Sequence, residues 1–156
     1  MANIVFNIGL GRFTEYYNRV KGNDPAPSAF ILIPIETAGL ETDAVLRDAA
    51  TVTALLSGTT NEQTTMGRKN LTDAELAAFP GPDNALDRYD LSFPTVTWTA
   101  ATGNAISKIA VCYDADTGAG TDANIIPLLL LDEVFTPDGS DISILTGVVF
   151  RATSAA

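Results

Sequence analysis

The stretch Pro94-Thr-Val-Thr-Trp98-Thr-Ala100, followed after a Thr102-Gly-Asn104 turn by Ile106-Ser-Lys-Ile-Ala-Val-Cys-Tyr-Asp114, decides the fold of this 156-residue chain. Both segments are rich in β-branched and aromatic residues, which favour extended strands. In the first segment Val96 and Trp98 alternate with threonines, as in an antiparallel strand with one buried face. The two segments are therefore predicted to be strands joined by a tight connection, and no side chain in them is an obvious catalyst.

Further segments share this extended pattern. From Leu86 onward the hydrophobic residues alternate, which predicts strands near residues 87–93, 95–100, 106–114, 124–134 and 141–151. Residues 29–35 form one continuous apolar run, which indicates a strand buried on both faces. Pro34 lies inside this run and cannot donate to a sheet ladder, so we expect an edge or a bulge there.

Helical signals occur in the first half of the chain. An amphipathic stripe with spacings of three and four comprises Phe6, Leu10, Phe13, Tyr17 and Val20, and the helix is predicted to end at Lys21 and Gly22. A second helix is predicted between Asp43 and Leu56. A third begins at a capping box formed by Thr72 and Glu75.

These elements define an α+β class and a single domain over residues 1–156. We expect an antiparallel β-sandwich or a partly open barrel, with strands mainly in 29–35 and 87–151. An N-terminal amphipathic helix and one or two further short helices complete it. Residues 1–22 form a candidate N-terminal docking arm.

The composition excludes several classes of function. A net charge of −10 and a pI of about 4.1 disfavour binding to nucleic acid or to an anionic membrane, since both require basic patches. The chain has no histidine, which removes Ser-His-Asp and Cys-His catalysis and makes a zinc site improbable. The single Cys112 lies in a strand pattern and is interpreted as a small buried hydrophobe. The chain is not expected to be an enzyme or to carry a cofactor.

Neither a secretory signal nor a membrane span is evident. The N-terminus lacks the charged and apolar regions of a signal peptide. The longest apolar run, residues 125–131, is far shorter than the roughly 20 residues that cross a bilayer. We therefore expect synthesis in a cytoplasm.

One loop is a candidate cation site. Asp114, Asp116 and Asp122 alternate with glycines between two predicted strands, and calcium prefers carboxylate and carbonyl oxygens on such loops. The EF-hand pattern fails because its last ligand position is occupied by Ile125. Turn geometry is the alternative role for these Asp and Gly residues.

Other side chains are candidates for contacts with a second molecule. The candidate intersubunit residues lie in the helical stripe and in the apolar strand: Phe6, Leu10, Phe13, Tyr17, Phe30 and Leu32. Packing within the chain itself is the alternative for all of them. An exposed sugar-stacking face could use Trp98, Tyr113 or Tyr89, although a Trp in such an alternation usually belongs to a core. A second acidic group comprises Asp83, Asn84, Asp87 and Asp90. Asp83 and Asn84 are interpreted as turn formers, Asp87 and Asp90 are expected on opposite faces of a strand, and a paired-carboxylate hydrolase site is the alternative.

The order of short motifs resembles that of a group of small virion proteins of tailed bacteriophages. These motifs are Phe93-Pro-Thr-Val-Thr-Trp98-Thr-Ala, Ile109-Ala-Val-Cys-Tyr-Asp114, Ile126-Pro-Leu128, Asp138-Gly-Ser-Asp-Ile142 and Gly147-Val-Val-Phe150. The resemblance covers most of residues 86–152. Each motif consists of ordinary strand residues, so the resemblance lies in their order.

The resemblance implies a structural protein of the virion. The expected role is a capsid decoration or cement protein that contacts the major capsid protein or other virion proteins, as a homo-oligomer with a trimer favoured. The expected location is the virion, after synthesis in the host cytoplasm. The alternative is a tail, baseplate or fibre component, with a carbohydrate- or calcium-binding face.

Overall fold

A computed structural model describes residues 3–144 and 147–154. The strands described are β1 (Ile4–Val5), β2 (Ala29–Glu36), β3 (Lys69–Leu71), β4 (Arg88–Phe93), β5 (Val96–Trp98), β6 (Ile106–Asp114), β7 (Ile126–Phe135), β8 (Ile142–Ile144) and β9 (Gly147–Thr153). The helices described are α1 (Phe13–Gly22), α2 (Asp43–Leu46), α3 (Val52–Leu55) and α4 (Asp73–Leu76), with a 3₁₀ turn at Asn7–Gly9. The fold is α+β, mostly antiparallel sheet with few short helices.

The strands form one central sheet and two ribbons. The central sheet has five strands in the order β1-β7-β6-β2-β3, and every described pairing in it is antiparallel. One ribbon pairs β4 with β9, and the other pairs β5 with β8. Strands that follow one another in the sequence, such as β4, β5 and β6, therefore belong to three different sheets.

Both faces of the central sheet are buried because its strands are apolar at consecutive positions. On one face Phe30, Leu32 and Val111 join a core that also contains residues of α1 and of both ribbons. On the other face the alternate residues Ile31 and Ile33 pack with residues of α2 and α3. The continuous apolar run in β2 thus supplies two separate hydrophobic cores.

The predicted strands differ from the observed ones in their connections. Residues 106–114 form a strand with the predicted bounds. The two strands predicted to be joined by a tight connection do not pair with each other. Instead, β5 pairs with β8, and β6 pairs with β2 and β7. The single strand predicted for residues 141–151 is two strands, β8 and β9, which belong to different ribbons; residues 145–146 within that range lie outside the described residues.

Pro34 occupies a position where one side of β2 lacks a strand. The proline pairs with Ile109 of β6, while β3 pairs only with Phe30, Ile31 and Leu32. Its carbonyl accepts a hydrogen bond from the Gln63 N–H at 2.9 Å. Of the two predicted alternatives, an edge or a bulge at Pro34, the structure shows the edge, and a register shift lies further on, between Ile35 and Glu36.

The helices are shorter than their hydrophobic patterns suggest. The stripe beginning at Phe6 is broken by the 3₁₀ turn and by Gly11, which has φ of +75°, so α1 begins only at Phe13. The helix predicted from Asp43 to Leu56 is two separate helices, α2 and α3. The helix predicted to begin at Thr72 and Glu75 is α4. Its capping box is present, and the Thr72 N–H donates to Glu75 Oε2 at 2.7 Å.

Candidate functional site

Five of the six candidate intersubunit residues lie in the chain's own core. The side chains with at most 1% of their surface exposed are Phe6, Phe13, Tyr17, Phe30 and Leu32. Phe30 and Leu32 belong to β2 of the central sheet, and the other three pack against that sheet because α1 covers one of its faces and the 3₁₀ turn abuts β7. These residues therefore do not offer a surface to a second subunit. The sixth candidate, Leu10, is 63% exposed.

Residues 3–22 are likewise integrated into the fold. Ile4 and Val5 extend the central sheet as β1, and the Phe6 N–H donates to the Leu128 carbonyl at 3.0 Å. The Tyr17 hydroxyl donates to the Ser92 carbonyl at 2.7 Å. The described part of the candidate docking arm is thus held by its own domain.

The three aromatic residues considered for sugar stacking are also core residues. The side chains of Trp98, Tyr113 and Tyr89 are buried. The Trp98 indole N–H donates to the Gly67 carbonyl at 2.9 Å, and the ring of Tyr16 stacks over Tyr113 with centroids 4.3 Å apart. These residues anchor strands and do not form an exposed stacking face.

The Asp-rich loop satisfies its own carboxylates. Asp114 Oδ1 accepts the Asp116 N–H at 3.0 Å, and Asp116 Oδ1 accepts the Gly118 N–H at 2.9 Å. Both bonds span two residues, which is the geometry of an Asx turn. These contacts account for the Asp and Gly residues as turn formers.

Asp122, the third candidate calcium ligand, pairs with Arg68. The guanidinium donates to Asp122 Oδ1 at 2.6 Å and to Oδ2 at 3.0 Å, and it also bonds both carboxylate oxygens of Glu62. Hydrogen bonds from Arg68 hold the pKa of the Asp122 carboxyl below its usual range. Within the described residues, no group of three or more His, Cys, Asp or Glu side chains is placed to hold a metal ion. The arrangement clamps this loop to the segment before β3.

The second acidic group lines an open cavity of about 470 Å³. Asp83 Oδ1 accepts the N–H groups of Ala85 and Leu86, so its carboxylate serves a turn. Asp90 is paired with Arg88 and Arg151, and the hydrogen bond from Arg151 keeps its pKa low. Each of these two acids is thus engaged in local contacts.

A cluster that sequence reasoning missed lies on the sheet itself. We call Lys108, Asp132 and Asp43 the Lys108 cluster: Nζ lies 2.5 Å from Asp132 Oδ1 and 3.1 Å from Asp43 Oδ1. Lys108 is 1% exposed, although most other residues of β6 are apolar. Burial opposes its charged form, but hydrogen bonds to Asp132 and Asp43 outweigh that effect and raise the pKa of Lys108. The signal in the sequence was a lysine inside a predicted strand whose other residues are mostly apolar.

Large apolar side chains are also exposed at several separate positions. The most exposed are Val134 at 72%, Leu10 at 63%, Leu86 at 56%, Val45 at 53% and Val148 at 50%. Single exposed apolar residues are normal on protein surfaces, so none of them defines an interface by itself. Among the described residues, no helix is long and apolar enough to cross a membrane.

Comparison of the chain with protein-family models, with curated proteins and with solved structures gave no match.

Proposed function

We propose that this chain is a structural protein of a tailed-bacteriophage virion and acts as a capsid decoration or cement protein. The observation that carries the proposal is the order of the motifs that resemble this group of proteins. The Val-Thr-Trp, Ala-Val-Cys-Tyr-Asp, Pro-Leu and Gly-Val-Val-Phe motifs occupy β5, β6, β7 and β9 in turn. A scaffold role fits these motifs because their large residues anchor strands.

The architecture supports a role in assembly. We infer a sandwich class, with the five-stranded sheet as one layer and the two ribbons packed over one of its faces. The edge strands of the central sheet are short, two residues in β1 and three in β3, which limits unspecific edge pairing. Contact with a shell would then use loops, exposed side chains and the outer edges of the ribbons.

A weak contact is sufficient for such a protein. An oligomer that contacts a repetitive lattice at several points binds far more tightly than one copy does. Leu10 is our candidate contact residue, because it is the exposed member of the N-terminal apolar stripe. Since 63% of Leu10 is exposed, burying that part of its side chain contributes about 1–2 kcal/mol, or roughly five- to thirtyfold in affinity for each copy.

Co-sedimentation with emptied capsids of the parent phage tests the proposal. We expect the wild-type chain to bind and to raise the temperature at which the capsids disrupt. Leu10→Ser should weaken binding, whereas Leu86→Ser, a matched exposed leucine, should not. Failure of the wild type to bind, with particles equally stable in its absence, would exclude a cement role.

Two further measurements define the assembly. Light scattering after gel filtration gives the oligomeric state, for which we expect a trimer. Antibody labelling of intact particles should place the chain on the head. Label confined to the tail, baseplate or fibres would instead identify it as a component of those parts, which is the alternative virion role.

A further inference from the structure

The Lys108 cluster brings together an amine and two carboxyl groups inside the protein. We propose that Lys108 and Asp132 form an intramolecular isopeptide bond, an amide between Lys108 Nζ and Asp132 Cγ, with Asp43 transferring the protons. The proposal concerns the chemistry of the folded chain and does not depend on the virion role.

The two reacting groups are held close together by the sheet. Lys108 and Asp132 are register partners on the adjacent antiparallel strands β6 and β7. Because Nζ is 2.5 Å from Asp132 Oδ1, it lies no more than about 3.7 Å from Cγ, one C–O bond further on. Reacting atoms held near 3–3.5 Å in a fixed orientation gain a large advantage over the same groups free in solution. Both strands are internal in the sheet, and their pairing fixes the register that places the two groups side by side.

The surroundings exclude water from the pair. Lys108 is 1% exposed, and 11% of the Asp132 side chain is exposed. On the same face of β6, the next alternate residues Ala110 and Cys112 are fully buried in an apolar core. Burial opposes the charged form of Lys108, but hydrogen bonds to Asp132 and Asp43 raise its pKa, so the ammonium is the starting form and a carboxylate in contact with it takes up its proton before the amine attacks. The buried site also protects a finished amide against hydrolysis.

Asp43 is placed to act as the proton carrier. Its Oδ1 lies 3.1 Å from Lys108 Nζ, within reach for direct proton transfer. Its side chain is 32% exposed, so it is the most solvated member of the cluster. The position comes from α2, whose first residue is Asp43 and which packs over this face of the sheet.

The reaction balances without any other reagent. Asp43 accepts one proton from the Lys108 ammonium, and the neutral amine then attacks Asp132 Cγ to form the N–C bond. The nitrogen loses its second proton as one C–O bond of Asp132 breaks. The departing oxygen leaves as water, carrying that proton and the one returned by Asp43. An ammonium and a carboxylate thus become one amide and one water, and Asp43 is unchanged.

A buried ion triad without reaction is the competing account, because paired charges of this kind occur in proteins as static contacts. The two accounts predict different masses. Intact mass spectrometry of the purified, denatured full chain should give a mass lower by one water than the sequence mass. A wild-type chain that keeps the full sequence mass after prolonged incubation in its folded state would overturn the proposal.

Matched variants identify the source of any lost water. Lys108→Arg keeps the positive charge but cannot form this amide, so we expect its full sequence mass. Water loss in Lys108→Arg would also overturn the proposal, since it would arise elsewhere, for example at Asp138-Gly139. Asp43→Asn retains both reacting groups and should accumulate the unreacted form; a rate equal to that of the wild type would remove Asp43 from the mechanism.

A second readout does not depend on the stability of any variant. After tryptic digestion of the wild type, residues 89–151 should appear as one uncleaved peptide with an internal cross-link and a mass lower by one water, because Lys108 is the cleavage site between Arg88 and Arg151. The Lys108 site should also resist cleavage, because trypsin requires a free lysine side chain. Recovery of the two linear peptides, with cleavage after Lys108, would contradict the cross-link.

Discussion

The hydroxyl of Tyr17 connects α1 to the β4–β9 ribbon, and its removal gives a defined loss of stability. The oxygen donates to the Ser92 carbonyl at 2.7 Å and accepts the Ser92 N–H at 3.3 Å. Tyr17 has no exposed surface, so water cannot replace it at these two backbone groups. Tyr17→Phe removes the oxygen and keeps the ring that packs against Phe93.

The size of the effect follows from these contacts. A buried polar group left without its partner costs about 1–3 kcal/mol, and here one oxygen serves two groups of one residue. We therefore expect Tyr17→Phe to lower the free energy of unfolding by about 2 kcal/mol. For a chain of this length, that corresponds to a fall of about 4–8 °C in the melting temperature.

Urea unfolding followed by the fluorescence of Trp98 measures the change. Tyr16→Phe is the matched control, since its hydroxyl, among residues 3–144 and 147–154, accepts an exposed hydrogen bond from Arg12 at 3.4 Å. That substitution should alter stability by less than about 0.5 kcal/mol. If Tyr17→Phe were no more destabilising than Tyr16→Phe, the assignment of the Tyr17 hydroxyl as a structural link would be refuted.

The same residue predicts a dependence on alkaline pH. Burial raises the pKa of Tyr17 from 10.0 to about 12. The folded state therefore holds its phenolic proton at pH values where the unfolded chain has lost it. This contribution is fully present below pH 10 and is lost as the pH rises through about 12, with a slope of at most about 1.4 kcal/mol per pH unit. Unfolding curves between these values should show a shallower decline for Tyr17→Phe than for the wild type.

Two further predictions concern the loops. Because both Asp122 oxygens bond Arg68, millimolar calcium should leave the melting temperature unchanged, and a rise with calcium would show that the loop does bind the ion. Asp122→Asn should lower the free energy of unfolding by about 1 kcal/mol, since the pair is partly exposed. Gly103 has φ of +120°, and an added Cβ would lie 1.8 Å from the amide nitrogen of the buried Gln63. Gly103→Ala should therefore lose about 1–3 kcal/mol in urea unfolding, whereas Gly81→Ala, with open space around it, should not, and equal losses would contradict this reasoning.

Local sequence patterns predicted the positions of several elements well. The run from Ile106 to Asp114 forms a strand with the predicted bounds, and the capping box of Thr72 starts a helix where expected. These features depend on residues within a few positions of each other. Backbone propensity and side-chain capping act over that distance, so the sequence carries them directly.

Local patterns gave wrong predictions where contacts between residues far apart in the chain decide the structure. The stripe from Phe6 to Val20 has helical spacing, yet Phe6 lies outside α1, and its N–H bonds the Leu128 carbonyl. An apolar residue looks the same in sequence whether it faces its own sheet or another subunit. Only the packed sheet shows that the stripe is internal and leaves Leu10 exposed.

The candidate sites also differ in how much of each could be predicted from the sequence. The sequence shows the loop from Asp114 to Asp122 as a cluster of acids. The role of Asp122, however, is to pair with Arg68, which lies 54 positions away in the chain. Lys108 carried only a faint signal, because a lysine in an apolar strand has no meaning until its partners are known. Asp43 and Asp132 reach it from a helix and a neighbouring strand.

The sequence by itself determined the class of this protein: an acidic, histidine-free α+β chain rich in antiparallel strands, with residues 29–35 buried on both faces. Tertiary structure alone decided the strand order β1-β7-β6-β2-β3, the division of the last segment between two ribbons, and the meeting of Lys108 with Asp132 and Asp43. The reason is physical. Strand propensity and alternation are set by neighbouring residues, whereas partner choice and the pairing of buried charges are set by the packing of segments far apart in the chain.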